Sequence, residues 1–247
     1  DEDAVYFSAE ELIMDGDRLT PVHSGYFDVT SSGVSIVNDD EISRFSMVVW
    51  DKLFRREKIE SIHLRFPEGL YFEDNVFIIN FFSLHHKVRF LQKKLYRYFR
   101  RSDSITGIAH AKKNGMAFNY IHILDAIHSF WRTWHLLPEK QALFERFCIF
   151  YFRAAIKICQ DWERPGLVYE LARSLHSWQL EPENDLLRNI KQGILSIRAG
   201  RFPGKDITML KTLRGFEKIL YIGNFNDNRV VYLFSMKIAS WRRPKRI

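Results

Sequence analysis

The rhythm of apolar and polar positions changes near residue 110. Before it, short apolar runs alternate with polar turns; after it, apolar residues recur at helical spacing almost to the end. In the first part, 4–9 (AVYFSA) reads as a buried strand and Asp15-Gly16-Asp17 as a turn. Residues 20–40, rich in Ser, Gly, Asp and β-branched side chains, read as loop with short strand pieces. A helix is expected over 41–54, with Val48, Val49, Trp50, Leu53 and Phe54 on its apolar side and Lys52, Arg55, Arg56 and Lys58 making its far end basic. A short strand follows at 62–66, a helix at 75–86 and one or two strands at 88–99. Residues 100–107 (RRSDSITG) read as a polar loop. Helices are then expected at 117–136, 139–161, 166–178, 183–199 and 206–222, with a turn at 224–228 and an extended stretch at 229–241. The division this predicts is a mixed α/β part over 1–109 and a helical part over 110–247.

Composition narrows the class. With 46% hydrophobic residues and 21 Phe, the chain can bury a sizeable core, which excludes an intrinsically disordered protein. A net charge of +7 suits a polyanion, an anionic membrane face or a phosphate-rich ligand. Cys148 and Cys159, if on one helix, lie about 16 Å apart along its axis, too far for a disulfide. They read as buried thiols of a reducing compartment. No apolar run is long enough to span a bilayer, because 144–159 is broken by Glu145, Arg146, Arg153 and Lys157.

The candidate chemistry centres on 65–77, RFPEGLYFEDNVF. A Pro and Gly turn signal leads into two adjacent carboxylates, Glu73 and Asp74, followed at once by the apolar 76–84. Acids pressed against such a segment gain a raised pKa and become suited to proton transfer. The commoner reading of the same residues is that Asp74 or Asn75 caps the helix. Asp1-Glu2-Asp3 has the spacing of a DxD metal motif, but terminal acids before a buried strand are more simply solvated or structural. Arg97, Arg100, Arg101, Ser104 and Thr106 offer guanidinium and hydroxyl groups suited to phosphate oxygens, or else form a solvated basic loop. The nine histidines show no metal-ligand spacing, and His110 is the one candidate ligand. The aromatic-rich helix at 139–161 reads as core. No Gly-rich phosphate loop, zinc spacing or nucleic-acid motif occurs, so nucleic acid is not an expected partner.

WDKLFRREKIESIHLRFPEGLYFEDNVF, followed by KLYRYFRRSDSIT, resembles the second half of the catalytic domain of family 2 glycosyltransferases, bacterial enzymes of capsule, exopolysaccharide and lipopolysaccharide synthesis. The resemblance covers about residues 3 to 108, and the order of its pieces is more specific than any one of them. It implies a partial GT-A, Rossmann-like α/β domain followed by a mainly helical C-terminal region. The implied reaction is inverting transfer from a nucleotide-sugar donor to a hydroxyl of a glycan or lipid-linked acceptor. Asp74 then matches the catalytic base and Glu73 its partner. Trp50 and Lys52 match the acceptor side of the cleft, and Arg100, Arg101 and Ser104 a loop near the diphosphate. A divalent metal, Mg²⁺ or Mn²⁺, is expected for a full-length enzyme. The half of the family that carries the uridine-binding Asp and the DxD motif has no counterpart in this sequence, so the resemblance implies a portion of a longer protein. The ending VVYLFSMKIASWRR also resembles family tails. Its basic residues Arg242, Arg243, Lys245 and Arg246 suit the anionic inner face of the plasma membrane, a cytoplasmic, peripheral location. The competing expectation is a non-catalytic helical interaction module that keeps a transferase remnant as scaffold.

Overall fold

The computed structural model describes residues 2–15, 18–101, 104–105, 107, 115–160, 163–198, 220–225, 228–233 and 236–242, with backbone only from 193 onward. It is a mixed α/β protein. The chain packs as two units, Asp1–Ala111 with His122–Phe147, and Lys112–Ile121 with Cys148–Ile247.

The first unit is built on a mixed sheet. Its long central strand β1 (Ala4–Asp15) pairs in parallel with β5 (Lys87–Arg100). On its other side, β1 pairs antiparallel with β4 (Lys52–Phe54) near its start and with β2 (Arg18–Val22) near its end. β3 (Gly33–Ile36) closes the far side of β5. Three short helices accompany the sheet: α1 (Asp39–Ile42), α2 (Arg56–Ser61) and α3 (Asp74–Phe82).

The expected strand at 4–9 and strand region at 88–99 are present, each longer than its apolar core suggested. The helix expected over 75–86 is α3. The helix expected over 41–54 is not there. Asn38 and Glu41 form a reciprocal capping box that starts α1, but the helix stops at Ile42. Residues 52–54 are drawn instead into the sheet by backbone pairing with β1. Tertiary pairing here overrides a pattern that fits helical spacing equally well. The expected strand at 62–66 also fails. Ile62 and Leu64 are buried and their neighbours exposed, which imitates strand alternation, but His63 takes φ 49° and no ladder forms.

α3 is the keystone of this unit. Every residue from Val76 to Phe82 is buried. Phe81 packs edge-on against Phe54 at 4.8 Å and Phe82 at 5.2 Å between ring centroids. Phe45 meets Tyr6 and Phe82, each at 5.1 Å, so the helix is tied to β1 through aromatic contacts. Phe81→Ala is expected to destabilise the protein by about 3–5 kcal/mol. Urea unfolding followed by intrinsic fluorescence will read this as a lower midpoint.

After residue 115 a 3₁₀ turn (Met116–Phe118) leads into α4 (Asn119–Thr133), α5 (Leu137–Ile158), α6 (Arg164–Ser177) and α7 (Asp185–Arg198). These are the four helices expected between 117 and 199. The division into units falls within α4 and α5. In the first unit, Lys140 and Arg146 of α5 pair with Asp39 and Asp40 of α1. In the second, Cys148 and Cys159 are buried thiols, not joined as a disulfide. The expectation of a helix through 222 fails at its end. Residues 220–222 belong to β6 (Leu220–Phe225), the first strand of an antiparallel β6-β7-β8 sheet with β7 (Asn228–Leu233) and β8 (Met236–Arg242). The rest of that expected helix, and Arg243, Lys245 and Arg246, lie outside the described residues. Among the described residues, no helix is long and apolar enough to cross a membrane.

Candidate active site

Pairing of β4 with β1 sets Lys52 directly opposite Tyr6. Cross-strand partners share a face, so the ammonium lies over the tyrosine ring, 4.2 Å from its centroid. Lys52 Nζ donates to Asp51 Oδ1 at 2.7 Å, Ser46 O at 2.8 Å, Ser46 Oγ at 2.9 Å and Val48 O at 3.0 Å. The side chains of Lys52 and Asp51 are both 0% exposed. Ser46 completes the cluster: its hydroxyl donates to Asp51 Oδ2 and accepts from the Tyr6 hydroxyl at 3.0 Å. The Tyr6 hydroxyl in turn accepts from the Ser46 backbone N–H at 3.2 Å.

Burial governs the ionisation of this cluster. Desolvation pulls Lys52 down to about 8, against the attraction of Asp51 and Asp74. It pushes Asp51 up, against the bonds from Lys52 and Ser46. Asp51 only accepts hydrogen bonds in this geometry, the pattern of an ionised carboxylate. Lys52, at about 8, keeps its charge at neutral pH with the Asp51 carboxyl held against it.

The second component is the turn that delivers Asp74. Gly69 takes φ 71°, as the Pro and Gly signal leads one to expect. Phe72 takes φ 63°, an unfavourable conformation for a bulky side chain and one that concentrates at functional sites. Asn75 closes the turn: its side-chain amide donates to Phe72 O at 2.9 Å and to Asp74 Oδ1 at 2.8 Å. Helix α3 begins at Asp74 itself, and Glu73 holds the cap position without a side-chain bond. Neither Asp74 nor Asn75 acts as the cap, so the commoner reading of these residues does not hold.

Asp74 is half-buried. Burial, then the neighbouring Glu73 carboxylate, push its pKa up to about 6; Asn75 and Lys52 pull the other way. A carboxyl at that value is largely ionised at pH 7 yet markedly more basic than an exposed aspartate, the condition that general-base chemistry asks for.

Trp50, next to the buried pair, is half-buried and stacks on two tyrosines of β5: Tyr96 at 4.6 Å and Tyr98 at 5.1 Å. Phe27 packs against it at 4.7 Å, and Tyr26 against Phe27 at 4.8 Å. Tyr26 is 54% exposed, and both Asp51 and Asp74 act electrostatically on its hydroxyl. An aromatic cluster thus joins Tyr26 to Tyr96 and Tyr98 of β5 through Phe27 and Trp50.

The basic loop residues lie elsewhere along the sheet. Arg100 is opposite Ile13 in the β1–β5 ladder, whereas Lys52 is opposite Tyr6. Seven positions of strand separate those backbones by about 20 Å. The Arg100 guanidinium pairs with the buried Glu11, which also accepts from Ser24 Oγ at 2.7 Å. Arg97 pairs with Glu10 at 2.9 Å. Arg101 is exposed, and its carbonyl accepts from Ser104 Oγ at 2.7 Å, while Ser104 Oγ accepts from the Gly107 N–H at 3.1 Å. Thr106 and His110 lie outside the described residues.

Among the described residues, no three His, Cys, Asp or Glu side chains come together as a metal site. Asp3 holds the sheet instead, accepting from the Lys87 N–H at 2.9 Å and pairing with Lys58 at 3.3 Å; Asp1 lies outside the described residues. Asp51, Ser46 and Tyr6 went unmarked in the sequence, although the adjacent opposite charges of Asp51-Lys52 between Trp50 and Leu53 were a legible signal.

No protein-family model matches the chain, and no curated protein matches it. The chain is similar to the crystal structure of S. aureus TarS 1-349 in complex with UDP, with 14% sequence identity and a TM-score of 0.31. The likeness covers 94% of this chain and 63% of that one.

Proposed function

We propose that the first unit carries the base-bearing part of an inverting sugar-transfer site, with Asp74 as the base. The observation that carries this reading is the half-buried Asp74, raised to about 6 beside Glu73 at the start of a buried helix. The family resemblance of 50–77, which points to the same residue, supports it. The Asp74 carboxylate takes the proton of an acceptor hydroxyl as that oxygen attacks the anomeric carbon of a nucleotide sugar. The bond from that carbon to the diphosphate oxygen breaks with inversion, and the nucleoside diphosphate leaves. Glu73 keeps Asp74 basic by like-charge repulsion. Trp50 and the exposed faces of Tyr26 and Tyr96 offer apolar surface to a sugar ring. The family resemblance puts Arg100, Arg101 and Ser104 on the diphosphate side, which Arg100 would reach by leaving Glu11.

The test is a panel of nucleotide sugars offered with free and lipid-linked glycan acceptors to this chain and to any longer parent, with Mn²⁺ present and products read by mass spectrometry. Transfer that inverts the anomeric centre and disappears in Asp74→Asn is the expected result. Transfer that survives Asp74→Asn contradicts the assignment.

A further inference from the structure

We infer that Lys52 is a positioning residue for the aromatic surface that Trp50, Tyr26 and Tyr96 offer to an acceptor sugar. Its buried ammonium clamps the loop between α1 and β4, residues 46–51, which carries Trp50 and anchors Tyr26. The use of that surface by an acceptor rests on the sugar-transfer reading; the clamping of the loop does not.

Direct contact with substrate is excluded by the hydrogen bonds. The three N–H bonds of Lys52 meet four acceptors, namely Asp51 Oδ1 at 2.7 Å, Ser46 O at 2.8 Å, Ser46 Oγ at 2.9 Å and Val48 O at 3.0 Å, so none is left over for a sugar or phosphate. The side chain is 0% exposed. Stability alone gives little reason for such an arrangement, since well-packed apolar residues in place of a buried ion pair are often as stable or more so.

All four acceptors belong to the one loop. Ser46, Val48 and Asp51 are drawn in onto the ammonium, while Met47 and Trp50, between them, reach the aromatic cluster. The Met47 N–H donates to the Tyr26 hydroxyl at 3.4 Å. Trp50 lies nearly flat on two rings, 22° from the plane of Tyr96 and 12° from that of Tyr98. Both ends of the loop are tied to β1: Ser46 through the Tyr6 hydroxyl, and Asp51 through its carbonyl, which accepts from the Phe7 N–H at 3.0 Å.

Trp50 is the ring of this cluster that depends on the loop. Tyr96 and Tyr98 are fixed by β5, and the Phe27 carbonyl is held by the Ala9 N–H at 3.1 Å. Without the ammonium, the carbonyls of Ser46 and Val48 lose their donor. A buried acceptor left unpaired is strongly unfavourable. The loop then turns those carbonyls toward water and carries Trp50 off the tyrosines.

Near-UV circular dichroism of the intact chain reads the stack directly, the Trp50 band being the part of the spectrum lost in Trp50→Phe. Because Lys52→Met alone strands Asp51, the double variant Asp51→Asn/Lys52→Met is used, which removes both charges at similar volume. Its Trp50 band is expected to fall below half of the wild-type strength, with an unchanged far-UV spectrum. In Lys52→Ala, propylammonium restores the three carbons and the nitrogen removed, and is expected to bring the band back; 1-propanol, similar in shape but uncharged, is not. In transfer, the acceptor KM of the double variant is expected to rise about tenfold with kcat near the wild-type value, the pattern of lost binding rather than lost chemistry. A full-strength band in the folded double variant overturns the inference, and so does a lost band with an unchanged acceptor KM. Restoration by 1-propanol as complete as by propylammonium overturns it too, because bulk rather than the ammonium would then hold the loop. Transfer that survives Asp74→Asn, with the acceptor KM still raised in the double variant, overturns Asp74 as base and leaves the role of Lys52 standing.

Discussion

Asp74→Asn is expected to lower sugar transfer by about 10²–10⁴-fold, the loss typical of removing a general acid or base. The same variant is expected to be more stable than the parent at pH 7.5. The sign follows from the direction of the shift. The folded-state value of Asp74, about 6, lies above its ordinary 3.8, so the folded protein binds this proton more tightly than the unfolded chain does. Its contribution to stability is fully present below about pH 4 and is lost as pH rises through 6. Each pH unit of displacement corresponds to about 1.4 kcal/mol. Discounted for the partial exposure of the side chain, the gain for an uncharged residue is about 1–2 kcal/mol. Asn at this position still accepts the Asn75 amide bond through its side-chain oxygen. Thermal unfolding of the two proteins between pH 4 and 8 should show curves that coincide in acid and separate through pH 6. Loss of transfer together with a gain in stability is the mark of a residue kept for chemistry. A variant that is both inactive and less stable at pH 7.5 would instead mark Asp74 as structural.

Asp51→Ala is expected to be the most destabilising single change in the buried cluster, at about 3–5 kcal/mol, because it strands the Lys52 ammonium. For a chain of this size that is a fall in Tm of roughly 10 °C. The deficit should depend on pH. Lys52 has its folded-state value lowered to about 8 from 10.5, so the stability associated with its neutral form is fully present above about 10.5 and is lost as pH falls through 8. Raising the pH from 7 toward 10 therefore relieves the stranded charge, and the gap between variant and parent should narrow. A gap that stays constant over that range would show that lost packing, rather than an unpaired charge, causes the deficit.

Much of the first unit was legible in its sequence because local and tertiary preferences agree there. The apolar run at 4–9, the alternating 88–99 and the buried 76–82 each match the element they form. Asp74 stood out for the same reason: a carboxylate placed against an apolar helix has no inexpensive place to go. Where the reading failed, a distant partner decided. Residues 48–54 fit a helical face as well as a strand, and only β1, more than forty positions earlier, determines which forms. Lys52 read as a cation at the basic end of a helix, because no local feature announces that Asp51, Ser46 and Tyr6 will enclose it. Arg100 read either as a phosphate ligand or as part of a solvated basic loop, and its Glu11 partner lies 89 positions away. The last strands were legible as one extended stretch at 229–241, but their pairing into β6-β7-β8 depends on contacts between segments.

The proposed base is the half-buried carboxylate at position 74, and titration of that one group is its most direct test. Carbon-13 carboxyl spectra of the wild-type chain across pH 3–9 should give Asp74 a midpoint near 6, well separated from the exposed aspartates. A midpoint near 4, among those of the surface carboxylates, would contradict the account.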